Sequence, residues 1–425
     1  MTKKRNLTLR LATSIVLVMT LCLSMVQSVL AAPVTGTEQN AAKAAITKEF
    51  KMGESITTPE VTFSFAFNSE SVNDELGTAD NMPEIGNKTV SFSAVDAGIT
   101  DNGVKTIYKE TQSLFDEVTW PHAGVYVYTV SEVQGVTKPL GQGESIEYSQ
   151  EKYKITVYVA NGTKGLYIAA IGAEITVTDG EEGTEESLKV NGEPGGDPNI
   201  AGDHSKIIFT NTYMKNNGTG NPKDHTLIIS KKVTTANVTE HDFANQTMYF
   251  DFQVTVSKSN ANTNALQKYK AYVLNENGDV VTSDKHYDDT LFTDALYGQY
   301  IEFTAGEQAT IHLKHGEQLS FVDLEVDATY TVTELGTAKF TPSCTQTING
   351  KANTLPGDLN ASLTVMSTKI TEGDDRADFL NTYVPMIPVG IKVDDMPYIV
   401  LILLGLSTFI LFAAFKHHKR DKENA

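Results

Sequence analysis

The sequence predicts an all-β chain of two tandem Ig-like β-sandwich domains, and three observations carry that expectation. Between the ends of the chain, apolar residues recur with a period of two. Val61, Phe63, Phe65 and Phe67 alternate with Thr62, Ser64 and Ala66; Tyr153, Ile155, Val157 and Val159 form a second such run, and Met248, Phe250, Phe252, Val254 and Val256 a third. Clusters of Gly, Asn and Asp separate these segments, with Asn277-Gly278 as a hairpin candidate, and no amphipathic helix of useful length interrupts them. Short signatures also occur twice in the same order: ITKEF, YTVSE and FTNTY, then ISKKV, YTVTE and FLNTY. At 425 residues and 40% hydrophobic content, the chain is too long for one core and suits two or three ordinary globular domains.

Taken in order, residues 1–31 read as a secretion signal. Lys3, Lys4, Arg5 and Arg10 precede an apolar stretch over 11–25, and Val29-Leu30-Ala31 offers a small-residue cleavage site. Cys22 lies within that signal, so only Cys344 remains after maturation and no intramolecular disulfide can form. Exported proteins often use disulfides for stability, which makes some other covalent device worth seeking; Cys344 itself reads as a small core residue. The repeated signatures set one domain at 45–213 and a second at 226–383, joined by the polar linker 214–225, with an exposed loop over 179–199. Residues 384–425 close the chain. There, 396–415 is an apolar run of membrane-spanning length, broken only by Gly405, Ser407 and Thr408. Lys416, His417, His418, Lys419 and Arg420 follow and place that end in the cytoplasm. Two sandwiches joined end to end and held by their C-terminus describe a rod on a cell surface.

The formal charge is −19. The signal contributes +4 and residues 391–425 a net +1, so the segment between them carries −24. Such a field repels nucleic acid and anionic membrane surfaces and excludes both as partners.

Strand parity turns the repeated signatures into chemistry. Ile46, Lys48, Phe50 and Met52 share a face, as do Leu227, Ile229, Lys231 and Val233, so each lysine points inward from an apolar face. Tyr128, Val130 and Glu132 share another, matched by Tyr330, Val332 and Glu334; Phe209, Asn211 and Tyr213 are matched by Phe379, Asn381 and Tyr383. A lysine, an acid and an asparagine are thus expected in each core. Burial lowers an amine's pKa and raises a carboxyl's. The neutral amine is then a nucleophile, and the neutral acid can donate to the asparagine carbonyl and polarise it. Attack, proton relay and loss of ammonia leave an amide between strands, each domain acting once on itself. The neighbouring Lys51 and Lys232 are disfavoured, because parity or position takes them off the motif.

In these motifs the chain resembles the isopeptide-containing domains of streptococcal T-antigen-type major pilins, relatives of the B-type (CnaB-like) repeats of collagen-binding surface proteins. The resemblance rests on ITK followed by TTPEVTFSF, on YVYTVSEV, on HGEQLSFVDL leading into YTVTE, and on both NTY endings. It implies a lysine on the first strand, an asparagine on the last and an acid between them on the facing sheet. Residue by residue this gives Lys48–Asn211 with Glu132, and Lys231–Asn381 with Glu334. It also implies a C-terminal sorting signal, whose pentapeptide position holds Met386, Ile387, Pro388, Val389 and Gly390. Val389 stands where a sortase substrate has threonine. Valine has the shape but not the hydroxyl, which points to a dedicated sortase as partner. The implied partners are other pilin subunits or peptidoglycan, and the implied polymerisation lysines are Lys206, Lys215 and Lys223.

The alternative is a non-polymerising adhesin, tethered to wall or membrane, that binds a host or bacterial surface ligand. An enzyme acting on anything but itself has little support. The nine histidines are scattered, and His312 and His315, three apart on a predicted strand, face opposite ways. No phosphate loop, nucleophile elbow or Cys–His constellation appears, so no cofactor and no metal are expected; the acidic loops lack regular calcium-ligand spacing.

Overall fold

The computed structural model describes residues 31–73, 75–77, 81–179, 188–195, 202–235, 248–384 and 396–423. The expected signal segment up to residue 30, the pentapeptide 386–390 and much of the 179–199 loop lie outside the described residues. The described body is all-β, as expected. The first domain contains β1 (Thr47–Gly53), β2 (Val61–Val72), β3 (Val104–Glu110), β4 (Gly124–Glu132), β5 (Glu144–Glu147), β6 (Lys152–Asn161), β7 (Leu166–Val177) and β8 (Ile208–Lys215), with shorter strands at the sheet margins. One sheet is ordered β7-β6-β4-β2 and the other β3-β1-β8-β5. Alternate residues enter the space between them; along β4 every second side chain, Tyr126, Tyr128, Val130 and Glu132, is buried.

The second domain repeats the plan with β9 (Leu227–Thr235), β10 (Phe250–Ser257), β11 (Lys268–Leu274), β12 (Gly298–Thr304), β13 (Gln308–Leu313), β14 (Gln318–Phe321), β15 (Thr329–Glu334), β16 (Phe340–Ile348), β17 (Lys351–Pro356), β18 (Leu363–Lys369) and β19 (Arg376–Tyr383). Its sheets are ordered β12-β11-β14-β9-β19-β16-β17 and β13-β10-β15-β18. The loop holding Asn277-Gly278 is a tight turn: Gly278 has a φ of +77°, and its N–H donates to the Asn275 carbonyl at 2.9 Å.

In both domains the strand bearing the lysine runs parallel to the strand bearing the asparagine. β1 pairs with β8 so that Lys48 lies level with Phe209 and Phe50 with Asn211. β9 pairs with β19 so that Lys231 lies level with Phe379 and Val233 with Asn381. The two registers are the same. Because these strands are parallel, the chain enters each domain at one end and leaves at the other.

The domains meet through more than the linker. Val326, in the loop before β15, is buried with the first domain's core residues, and its N–H donates to the Lys215 carbonyl at 2.8 Å. Beside it, Asp327 adopts a positive φ of 68° and accepts from the Ser55 N–H at 2.8 Å and its hydroxyl at 2.7 Å. Lys215 pairs with Glu372 at 2.8 Å across the same junction, and Lys369 pairs with Glu54. After the second domain, α1 (Met396–Glu423) carries exposed apolar side chains, among them Leu401, Phe409 and Phe415. Among the described residues, no helix is long and apolar enough to cross a membrane, so the span expected over 396–415 is not shown.

Two buried lysine, glutamate and asparagine sites

The apolar face of β1 carries Lys48 into the first core with no exposed surface; Asn211 is equally buried and Glu132 nearly so. The Lys48 Nζ lies 2.9 Å from Glu132 Oε1 and donates to Oε2 at 3.0 Å. Asn211 Nδ2 donates to Glu132 Oε1 at 2.8 Å, and Asn211 Oδ1 accepts the Ser149 N–H at 2.8 Å. Glu132 comes from the sheet opposite β1 and β8, so one carboxylate bridges the amine and the carboxamide. The Phe63 ring closes the site below, its centroid 4.7 Å from Nζ, while Phe65 packs on Phe209 at 5.0 Å.

The second site is built the same way. Lys231 lies 2.6 Å from Glu334 Oε1, and Asn381 Nδ2 donates to the same oxygen at 2.6 Å. Phe250 lies under Lys231 at 4.2 Å, and Phe252 packs on Phe379 at 5.3 Å. Among the described residues, Asn381 Oδ1 and Glu334 Oε2 are buried without a hydrogen-bond partner. The aromatic floors are the part that sequence reading missed. Phe63 and Phe65, and Phe250 and Phe252, were legible as alternating strand residues, and their repetition as F-x-F in both copies was the available signal.

Burial pushes both lysines down to about 8, against the pull of their glutamates. It pushes Glu132 and Glu334 up, against the pull of the lysines. The shifts converge on a pair that can pass a proton from amine to carboxyl and become neutral at both ends. A buried ion pair is a poor source of net stability, because desolvation offsets the attraction. Two of them in identical register therefore call for a chemical reason.

The structure changes one detail of the expected chemistry. The carboxyl was expected to donate to the asparagine carbonyl, yet in both sites the carboxylate accepts from the carboxamide nitrogen. In the first site the Ser149 N–H occupies Asn211 Oδ1; in the second, Nδ2 faces the acid in the same way although Asn381 Oδ1 has no hydrogen-bond partner among the described residues. Each glutamate is thereby in contact with both the lysine amine and the asparagine carboxamide nitrogen.

The competing lysines are elsewhere: Lys232 is exposed, and Lys51 pairs with Glu49 at 3.2 Å. Cys344 is buried and burial raises its thiol to about 12, which holds it in the unreactive form. His312 pairs with Asp251 at 2.7 Å, whereas His315 accepts the Val233 N–H at 2.8 Å, so the two are not brought to one site. No metal-binding cluster of three or more His, Cys, Asp or Glu occurs among the described residues. Of the lysines considered for polymerisation, Lys206 donates to the Gly202 carbonyl, Lys215 is held in the domain junction by Glu372, and Lys223 is exposed.

Comparison with known proteins bears on the first domain. Residues 44–214 match the family model of the Spy0128-like isopeptide containing domain. The resemblance to isopeptide-containing pilin domains, drawn above from motifs, is thus shown for the domain that holds Lys48, Glu132 and Asn211. Residues 225–383 match a family described only as a domain of unknown function (DUF7601), so the likeness of the second site to the isopeptide domain rests on its register and contacts. No curated protein matches the chain. Among solved structures, the major pilin from Streptococcus pyogenes is 21% identical over 81% of this chain and 100% of its own, with a TM-score of 0.32. The T3.2 major pilin from Streptococcus pyogenes is 19% identical over 80% and 98%, with a TM-score of 0.30. The pilus-presented adhesin Spy0125 (Cpa) is 11% identical over 80% and 100%, with a TM-score of 0.25. Likenesses this weak add nothing to the geometry of the sites.

Proposed function

We propose that this chain is a structural subunit of a Gram-positive surface pilus or wall-anchored stalk, stiffened by Lys48–Asn211 and Lys231–Asn381 amide cross-links. The observation that carries the reading is the pair of buried trios in one register, Lys48 with Glu132 and Asn211, and Lys231 with Glu334 and Asn381. The match of residues 44–214 to an isopeptide-containing family supports it. In each domain the neutral amine attacks the carboxamide carbon, the glutamate carries the proton to the departing nitrogen, and ammonia leaves. Proximity in a closed site makes this sluggish aminolysis feasible. The only catalysis required is self-directed, and no cofactor takes part.

Such a bond would join the strand where force enters a domain to the strand where it leaves, a mechanical arrangement suited to a shaft. Anchorage would come from cleavage within the pentapeptide 386–390 by a dedicated sortase. The acyl group would pass to a lysine of another subunit or to peptidoglycan, and Lys223, being exposed, is the most accessible of the three candidates. Wall extracts blotted for the protein are expected to show a ladder of covalent polymers that disappears when Val389 and Gly390 are both replaced. A single monomer band in the unaltered strain would contradict the shaft and favour a lone tethered adhesin.

A further inference from the structure

We infer that the main-chain N–H of Ser149 is a catalytic group of the first site, stabilising the charge that gathers on Asn211 Oδ1 as Lys48 attacks, and that Asp179 is its positioning residue. The inference rests on the cross-linking proposed above and names a part of its machinery. Ser149 lies in the turn between β5 and β6, is 2% exposed, and aims its N–H at Asn211 Oδ1 over 2.8 Å. That is the separation at which a fixed donor stabilises a developing oxyanion, and a donor held rigidly in a dry site needs no reorganisation as charge appears.

The turn is fixed from several sides. Asp179 accepts the Ser149 hydroxyl at 2.9 Å and the Gln150 N–H. The Ser149 hydroxyl in turn accepts the Glu151 N–H at 3.2 Å, and Gln134 Nε2 donates to the Ser149 carbonyl at 3.2 Å. With Glu132 holding the amine and Nδ2, and Ser149 holding Oδ1, each changing atom has its own partner. The Lys48 lone pair forms the N–C bond to Asn211 Cγ while the carbonyl π pair moves onto Oδ1, facing the Ser149 N–H. Glu132, carrying the proton it took from Lys48, delivers it to Nδ2 and takes one back from the new ammonium. Collapse of the oxyanion then breaks the Cγ–Nδ2 bond, releasing ammonia and leaving the amide.

Asp179 separates this role from a general electrostatic one. Its negative charge favours the protonated forms of both Lys48 and Glu132. Through the field alone, Asp179→Ala would lower the proton affinity of both groups together and leave the transfer between them nearly unchanged; through loss of the aimed N–H it would slow the reaction. The test follows the full chain as it is made by cell-free translation, quantifying by mass spectrometry the digestion peptides that join Lys48 to Asn211 and Lys231 to Asn381. The second bond is the internal clock. Asp179→Ala is expected to slow the first bond at least about tenfold against that clock, a part of the loss seen when an oxyanion donor is removed outright. Asp179→Asn, which keeps a side-chain oxygen for the turn without the charge, is expected to restore the wild-type rate. A first bond as fast in Asp179→Ala as in wild type, or an Asn variant slowed as much as the Ala variant, would overturn the inference. Absence of both bonds from the wild-type chain would instead remove the cross-linking itself, and this inference with it.

Discussion

Replacement of Glu132 by alanine is expected to lower the unfolding temperature of the first domain by roughly 15 °C or more, at the usual few degrees per kcal/mol for a domain of this size. Two losses add. Without the acid the Lys48–Asn211 bond does not form, and the unfolded chain regains the freedom of a loop of about 160 residues, worth about 5 kcal/mol in the chain-entropy treatment. In addition, Lys48 is left buried without its counter-charge, which costs about 3–5 kcal/mol when one partner of such a pair is removed. Glu132→Gln keeps an oxygen for Lys48 but neither the charge nor the proton relay, so its domain should lose the cross-link contribution and a smaller part of the second term than Glu132→Ala does. Calorimetry of the ectodomain checks both, with the second domain's transition as reference. A Glu132→Ala transition within a few degrees of wild type would show that no cross-link stood in the first domain.

The second large effect is mechanical. Pulled from its ends, the wild-type ectodomain is expected to resist extension, because force enters at Lys48 and leaves at Asn211 without passing through the chain between them, and likewise at Lys231 and Asn381. In the Glu132→Ala, Glu334→Ala double variant each domain should unravel and add roughly 500 Å of contour, about 150–160 residues at about 3.4 Å each. The parallel pairing of β1 with β8 and of β9 with β19 loads those strands in shear along the rod, the geometry in which a bond between them is most useful. Single-molecule force spectroscopy reads the step lengths directly. Steps of that length in the wild-type protein would contradict a locked shaft.

Much of each site was legible because it depends on local rules. Period-two alternation places Lys48 among Ile46, Phe50 and Met52, and the burial of all four follows from the pleat. The same rule carries Glu132 and Asn211 inward from other strands, and the duplicate motifs identify which strands matter. What parity cannot supply is contact between elements distant in sequence. Nothing in the sequence announces that the 149–151 turn brings an N–H to Asn211, because that contact depends on Asp179, 30 residues further on, holding the turn. The orientation of the carboxamide, with nitrogen rather than oxygen toward the acid, is equally beyond parity, which sets the face a side chain takes and not the turn of its terminal amide. The junction was illegible for a related reason. Val326 reads as an ordinary apolar loop residue of the second domain, and only the packed structure places it in the core of the first.

The reactivity proposed for the trios also depends on three-dimensional burial. A lysine in a strand motif is normally charged and solvated; here enclosure beneath Phe63 or Phe250 lowers it to about 8 and raises its glutamate, so a proton can pass between them. The intact mass of the purified ectodomain tests the outcome most directly. A mass lower than the sequence value by two molecules of ammonia, rising by one in Glu132→Ala and by one in Glu334→Ala, is the expected result. The full unmodified mass in the wild-type protein would contradict the account.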